Sequence, residues 1–98
     1  MAAGDVFNVG PTSTANAATL AIQPSAGVEV VIHDVYGPTG SAWTLAYTDG
    51  SNPITFLSMP AGGGALNLQC HVTNGKYLLL TNTSGATAYF GADGMVTK

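Results

Sequence analysis

The sequence predicts an all-β fold: an antiparallel two-sheet β-sandwich or jelly roll of about eight short strands. Three observations carry this. Glycine and proline punctuate the chain at intervals of about eight to twelve residues, the spacing of strands joined by turns. The runs between them alternate apolar and polar residues with a period of two. No stretch shows a sustained helical period. With 98 residues and no linker-like segment, the chain reads as one domain, 1–98, with residues 1–10 as a possible N-terminal arm.

The first element, "DVFNV" (residues 5–9), is a short β-prone piece cut off from the rest of the chain by Gly10-Pro11. In "ATLAIQ", Ala18, Leu20 and Ile22 alternate, which predicts a strand over residues 17–23, although the alanines also permit a helical turn. "GVEVVIHDVYG" is the clearest strand. Its alternation puts Val28, Val30 and Ile32 on one face and Glu29, Val31, His33 and Val35 on the other. "SAWTLAYTDGSNPITFLSMP" reads as a hairpin turned at "DGSN", with Trp43, Leu45 and Tyr47 on one face and Ile54 and Phe56 returning together.

In "ALNLQCHV", Leu66, Leu68, Cys70 and Val72 share a face. Next comes Asn74-Gly75, a dipeptide favoured in two-residue hairpin turns. "KYLLLTN" then gives a strand whose three leucines predict burial on both sides, and "NTSG" turns the chain into "ATAYFG". The expectation for residues 65–91 is therefore a meander of linked hairpins. Beyond it, Asp93-Gly94 reads as a turn like Asp49-Gly50, since aspartate beside glycine is favoured there. "AGGGA" reads as a flexible loop and not a phosphate loop, because it lacks the Gly-Lys-Ser/Thr that completes one.

Charge is scarce. Only 7% of residues are charged and the net charge is -3. Arginine is absent, and Lys76 and Lys98 are the only basic residues against Asp5, Glu29, Asp34, Asp49 and Asp93. Nucleic acid is excluded as a partner, because that binding rests on lysine and arginine neutralising phosphates. No segment reaches the roughly 18 apolar residues of a membrane span. The first residues lack the basic and apolar regions of a signal peptide, so synthesis in the cytoplasm is expected. A polar surface built from threonine, serine and asparagine suits contact with other proteins, since interface cores are depleted in charge.

No constellation points to an enzyme. Cys70 and His71 are neighbours on a strand and face opposite ways, so they form no dyad. His33 and His71 with Glu29 make a conceivable ligand set, but no short spacing supports one, and neither cofactor nor metal is expected. Glu29 and Asp34 have opposite parity, which argues against a glycosidase carboxylate pair. The lone Cys70 reads as a buried, inert thiol. Trp43 and Tyr47, four residues apart, would be core residues if buried and a sugar-stacking platform if exposed.

"VEVVIHDVYGPTG" and "HVTNGKYLLLTNTSGATAYFGADGMVTK", with the Thr/Gly/Ala-rich start, resemble small tailed-phage capsid decoration (cement) proteins and head-fibre domains. The resemblance runs from residue 27 to residue 98 and ends in a tail. It implies a non-enzymatic viral structural protein on the virion capsid surface that binds the major capsid protein, as a homotrimer. In that family a terminal arm grips the shell or a neighbouring subunit. Asp5, Val6, Phe7 and Val9 are then the expected capsid or subunit interface, since an extended arm adds a strand to a sheet edge. The alternative is a carbohydrate-binding module of a phage fibre, with Tyr36, Trp43 or Tyr47 exposed.

Overall fold

In the computed structural model, which describes residues 2–60 and 64–98, the chain forms eight strands. They are β1 (Val6–Thr14), β2 (Thr19–Ile22), β3 (Val30–Tyr36), β4 (Trp43–Thr48), β5 (Ile54–Met59), β6 (Ala65–Val72), β7 (Tyr77–Asn82) and β8 (Ala88–Val96). They make two four-stranded antiparallel sheets, ordered β1-β8-β3-β6 and β2-β7-β4-β5. The sandwich expected from the alternation is present, and its topology is a jelly roll: consecutive strands lie in opposite sheets, except the hairpin β4–β5. The residues of the "AGGG" stretch at 61–63, expected as a loop, lie outside the described residues.

The expected meander is corrected. β6 pairs with β3, and β7 pairs with β2 and β4. Asn74-Gly75 does make a turn, closed by the Thr73 amide donating to the Lys76 carbonyl at 2.8 Å. That turn passes the chain from one sheet to the other. The next one does the same, delivering β8 to a position between β1 and β3. Turn chemistry reverses the chain; it does not choose the strand edge that the returning segment meets. Of the three leucines, Leu78 and Leu80 are fully buried, and Leu79, on the outer side, is half-buried.

The core lies between the sheets. Trp43, Leu45, Leu78, Leu80 and Ile22 come from one sheet, and Val30, Ile32, Val35, Val72, Phe90 and Val96 from the other. Trp43 meets Phe90 edge to face, with ring centroids 6.5 Å apart at 67°, a favoured aromatic geometry. One buried amide ties the strand ends together. Asn82 Nδ2 donates to the carbonyls of Thr14 (2.7 Å) and Ala86 (2.8 Å), while its Oδ1 accepts from the Ser84 amide (2.9 Å) and hydroxyl (2.7 Å). "NTSG" is thus shaped by asparagine, every polar side-chain atom of which has a partner.

Two irregularities change which residues face out. In β3 the register shifts between Ile32 and Asp34 against both neighbours: against β8 His33 is an extra residue, whereas against β6 the extra residue lies on β6. His33 is exposed, Asp34 half-buried and Val35 fully buried. The face assignment from simple alternation therefore fails after Ile32: Val35 is core, and Asp34 lies on the outer side. In β1 the register shifts between Val9 and Thr12, with Gly10 at a φ of 79°. Proline at a bulge in an edge strand removes no ladder bond, so β1 continues through Gly10-Pro11 rather than being cut off there. Phe7 packs into the core and Val9 against it. β8, expected to end in a tail, is a nine-residue central strand.

Candidate functional site

The two outer faces of the sandwich differ in charge. On the second sheet, the residues opposite the core side form two rows across all four strands. Thr19, Thr81, Thr44 and Ser58 make a row of hydroxyls, and Ala21, Leu79, Ala46 and Thr55 make the next. Tyr77 and Thr48 pair beyond them. None of these residues is charged. At the edge, Phe56 is the extra residue of the β5 bulge and is half exposed, and Ile54 is exposed as well.

The charges sit elsewhere. Asp49 and Lys76 lie in turns at one end of the second sheet. Glu29, at the start of β3, holds His71 Nε2 at 3.2 Å and Lys98 Nζ at 3.5 Å. Asp5 precedes β1, and the outer face of the first sheet carries the other two carboxylates. Asp34 of β3 lies directly across from Asp93 of β8. Asn8 of β1 faces Asp93, and Asn67 of β6 faces Asp34 and donates to its Oδ1. Tyr36 Oη donates to Asp93 Oδ2 at 2.7 Å. No base stands in this group. Like charges directly opposite on neighbouring strands repel, and the asparagine and tyrosine donors offset part of that.

Beside this pair is a pocket of about 500 Å³, walled by Asn8, Pro11, Tyr36, Tyr89 and Asp93 with Gly91 among its lining. Its local construction is legible. Tyr89, Gly91 and Asp93 fall on the same side of β8, so the glycine leaves a gap between a ring and a carboxylate. Gly91 is required there, because a Cβ would sit 2.7 Å from the Val9 carbonyl oxygen of the bulged edge strand. Tyr89 is 63% exposed and Tyr36 41%. The phenol of Tyr36 is pushed up to about 12, first by its hydrogen bond to Asp93, then by burial and the nearby carboxylates, so it remains a donor at all ordinary pH.

The sequence places Asp93 in a turn, by analogy with Asp49. The structure corrects this: Asp93 is mid-strand. Asp49 is a turn residue, its Oδ1 accepting from the amides of Ser51 (2.9 Å) and Asn52 (2.8 Å). Those bonds hold its carboxyl down at about 2. Tyr89, Asn8 and Gly91 carry no motif that marks them in the sequence. The signal for them is period-two placement along "AYFGADG", hidden by reading Asp-Gly as a turn. Glu29 and Asp34 are separated as expected, although by distance along β3 and not by parity, since the bulge restores Asp34 to the outer side.

Other candidates do not converge. Cys70 packs against the core while His71 is exposed, and burial pushes the thiol up. Among the described residues no three of His, Cys, Asp and Glu gather as a metal site, and no helix is long and apolar enough to cross a membrane. Trp43 is fully buried and Tyr47 half-buried against the core, so they form no exposed platform. Of the expected interface residues, Asp5 and Val6 are exposed, Phe7 is buried and Val9 half-buried.

Fold and surface together define a jelly-roll module with one acidic and one uncharged face. No protein-family model matches the chain, and no curated protein matches it in sequence. Among solved structures, it is similar to the crystal structure of Drosophila NLP-core, described as giving insight into pentamer formation and histone binding. The TM-score is 0.58 at 13% identity, covering 95% of this chain and 98% of that one. A likeness at this identity concerns the fold.

It corrects the phage resemblance. The fold matches that of a pentamer-forming histone binder over nearly its whole length, not a capsid decoration protein. The expectations drawn from that resemblance go with it: the viral structural role, the major capsid protein as partner, the trimer and the place on the virion surface. The alternative as a carbohydrate-binding fibre module falls on the same match; of the three aromatics it named, Trp43 is buried, Tyr47 half-buried and Tyr36 exposed. The pattern matches strand-and-turn spacing, which any small jelly roll of low charge reproduces.

Proposed function

We propose that this chain is a non-catalytic assembly module. Copies pack through the uncharged outer face of the second sheet, and the acidic outer face of the first sheet takes up a positively charged protein. The observation that carries this is the segregation of charge between the two faces. A net charge of -3 makes copies repel wherever their charged surfaces meet. The hydroxyl and alanine rows are the surface on which a second copy meets neither a like charge nor a group that is costly to desolvate.

Four strands at about 4.8 Å spacing and six residues at about 3.3 Å each give this face roughly 400 Å². A stable contact buries about 800 Å² per partner, so flanking residues join it. Exposed Ile54 and Phe56 on the β5 edge are suited to that, and so is Val6 at the start of β1, with Asp5 left at the solvated rim. A closed ring of more than two copies is built from head-to-tail contacts, so this face meets a different patch on the next copy and not its own counterpart. Five copies is the number we expect, from the pentamer named for the similar NLP-core. The histone binding named for that protein likewise supports a basic partner here.

Native mass spectrometry tests the assembly. A mass five times that of the 9.9 kDa chain supports it. A single-chain mass overturns self-assembly, and another multiple overturns the five-fold number. Co-sedimentation with purified histones tests the partner: capture at low salt, lost as screening rises, supports it, and no capture at low salt overturns it.

A further inference from the structure

We propose that the pocket between Tyr36 and Tyr89 receives an arginine side chain of the basic partner, with the guanidinium against the tyrosine rings and its N–H groups on Asp93. This rests on the reading of a positively charged partner and names the point at which it is held.

The chemistry of the walls selects the ligand. Two partly exposed rings flank the opening, and the faces of aromatic rings attract cations. Asp93 has one oxygen engaged by Tyr36, and its Oδ1 accepts from no side chain or backbone among the described residues. Asp34, directly across, adds a second negative charge, and Asn67 engages only its Oδ1. Among the described residues neither carboxylate has an ion-pair partner. Lys98 is drawn to Glu29, five residues back along β3 from Asp34 and so roughly 16 Å away, and Lys76 lies in the turn leading into the other sheet.

Arginine fits better than lysine. Its planar guanidinium stacks on a ring and donates in-plane to a carboxylate at once, and it sheds water more readily than an ammonium. A volume of about 500 Å³ admits such a side chain together with the backbone that carries it. Tyr36 holds Asp93 in place, because the same hydrogen bond that keeps the phenol protonated fixes the carboxylate toward the pocket rim.

The test is a titration of the full chain, monitored by amide NMR, with a hexa-arginine peptide and with its citrulline counterpart, which keeps the shape and lacks the charge. The arginine peptide is expected to shift the amides of Tyr89, Gly91 and Asp93, and the citrulline peptide to leave them unmoved. Asp93→Asn should weaken binding about tenfold, the loss of a charge-assisted contact. Tyr89→Ala should weaken it about two- to fivefold, as for an exposed cation–π contact. Tyr89 is mostly exposed, so its variant keeps the fold, and an unchanged melting temperature checks this. If the arginine peptide binds and both variants bind it equally well, the pocket assignment is overturned while the basic-partner reading stands; if citrulline binds as tightly, charge plays no part and both are overturned. If no amide anywhere responds, both fall.

Discussion

Tyr36 on β3 donates its phenolic proton to Asp93 on β8 at 2.7 Å, across the outer face of the first sheet. Neither residue is near the other in sequence, and the bulge at His33 decides that they meet. The bond makes one titration distinctive. Tyr36 is raised from 10.0 to about 12. A group raised on folding contributes stability below its unfolded value and loses it as pH climbs through the folded one, so the Tyr36 contribution disappears between about pH 10 and about pH 12. Ultraviolet titration should show a tyrosine step near 12. Tyr36→Phe should delete that step, and Asp93→Asn should move it down toward 10; the lack of any step near 12 in the native protein would refute the bond.

Gly94 is the tightest backbone approach in the first sheet. A Cβ placed there overlaps the carbonyl of Val31 and comes within 2.9 Å of the Ile32 Cα. Neither is a flexible side-chain tip, so the strand must move. Gly94→Ala should destabilise by about 1–3 kcal/mol, the cost of overpacking. A urea midpoint shift with unchanged slope would measure it. Gly27 meets nothing within 4 Å but has a φ of 82°, so Gly75, which has open space and no such φ, is the control: Gly75→Ala should cost far less.

Leu79 and Ala46 sit side by side in the uncharged face. Leu79→Asp should place a carboxylate in the proposed contact between copies. The assembly is expected to dissociate to single chains, seen by light scattering, with far-ultraviolet circular dichroism retained because the side chain points away from the core. An oligomer that persists would move the contact to another surface.

Asp49 holds its turn by accepting two amides and the Asn52 side chain. Its carboxyl is lowered from 3.8 to about 2. A group depressed on folding stabilises above its unfolded value and loses that contribution as pH falls through the folded one. The turn should therefore loosen between about pH 4 and about pH 2. Amide shifts of Ser51 and Asn52 should titrate with a midpoint near 2, and Asp49→Ala should abolish the transition.

Much of the architecture is written in the linear pattern, because strand formation and burial are local. Alternation of period two located about eight strands and grouped Trp43 with Leu45 and Leu66, Leu68 and Cys70 with Val72 on shared faces; the structure turns Trp43, Leu45 and Val72 into the core. The lack of arginine and the few lysines fixed the acidic, weakly charged surface. Asp49-Gly50 announced a true hairpin turn.

What only the tertiary structure decided is which edges meet. Asn74-Gly75 reverses the chain whether the next strand lands beside its predecessor or in the facing sheet, and the backbone hydrogen bonds satisfied are alike either way. The extra residue at His33 moved Val35 inward and Asp34 outward, which no alternation count contains. That shift, with the close approach of β1 to Gly91, put two tyrosines and Asp93 from strands far apart in sequence around one pocket, with Asp34 across from Asp93 beside it. Sites depend on such long-range register, and register is set by packing across the whole sandwich.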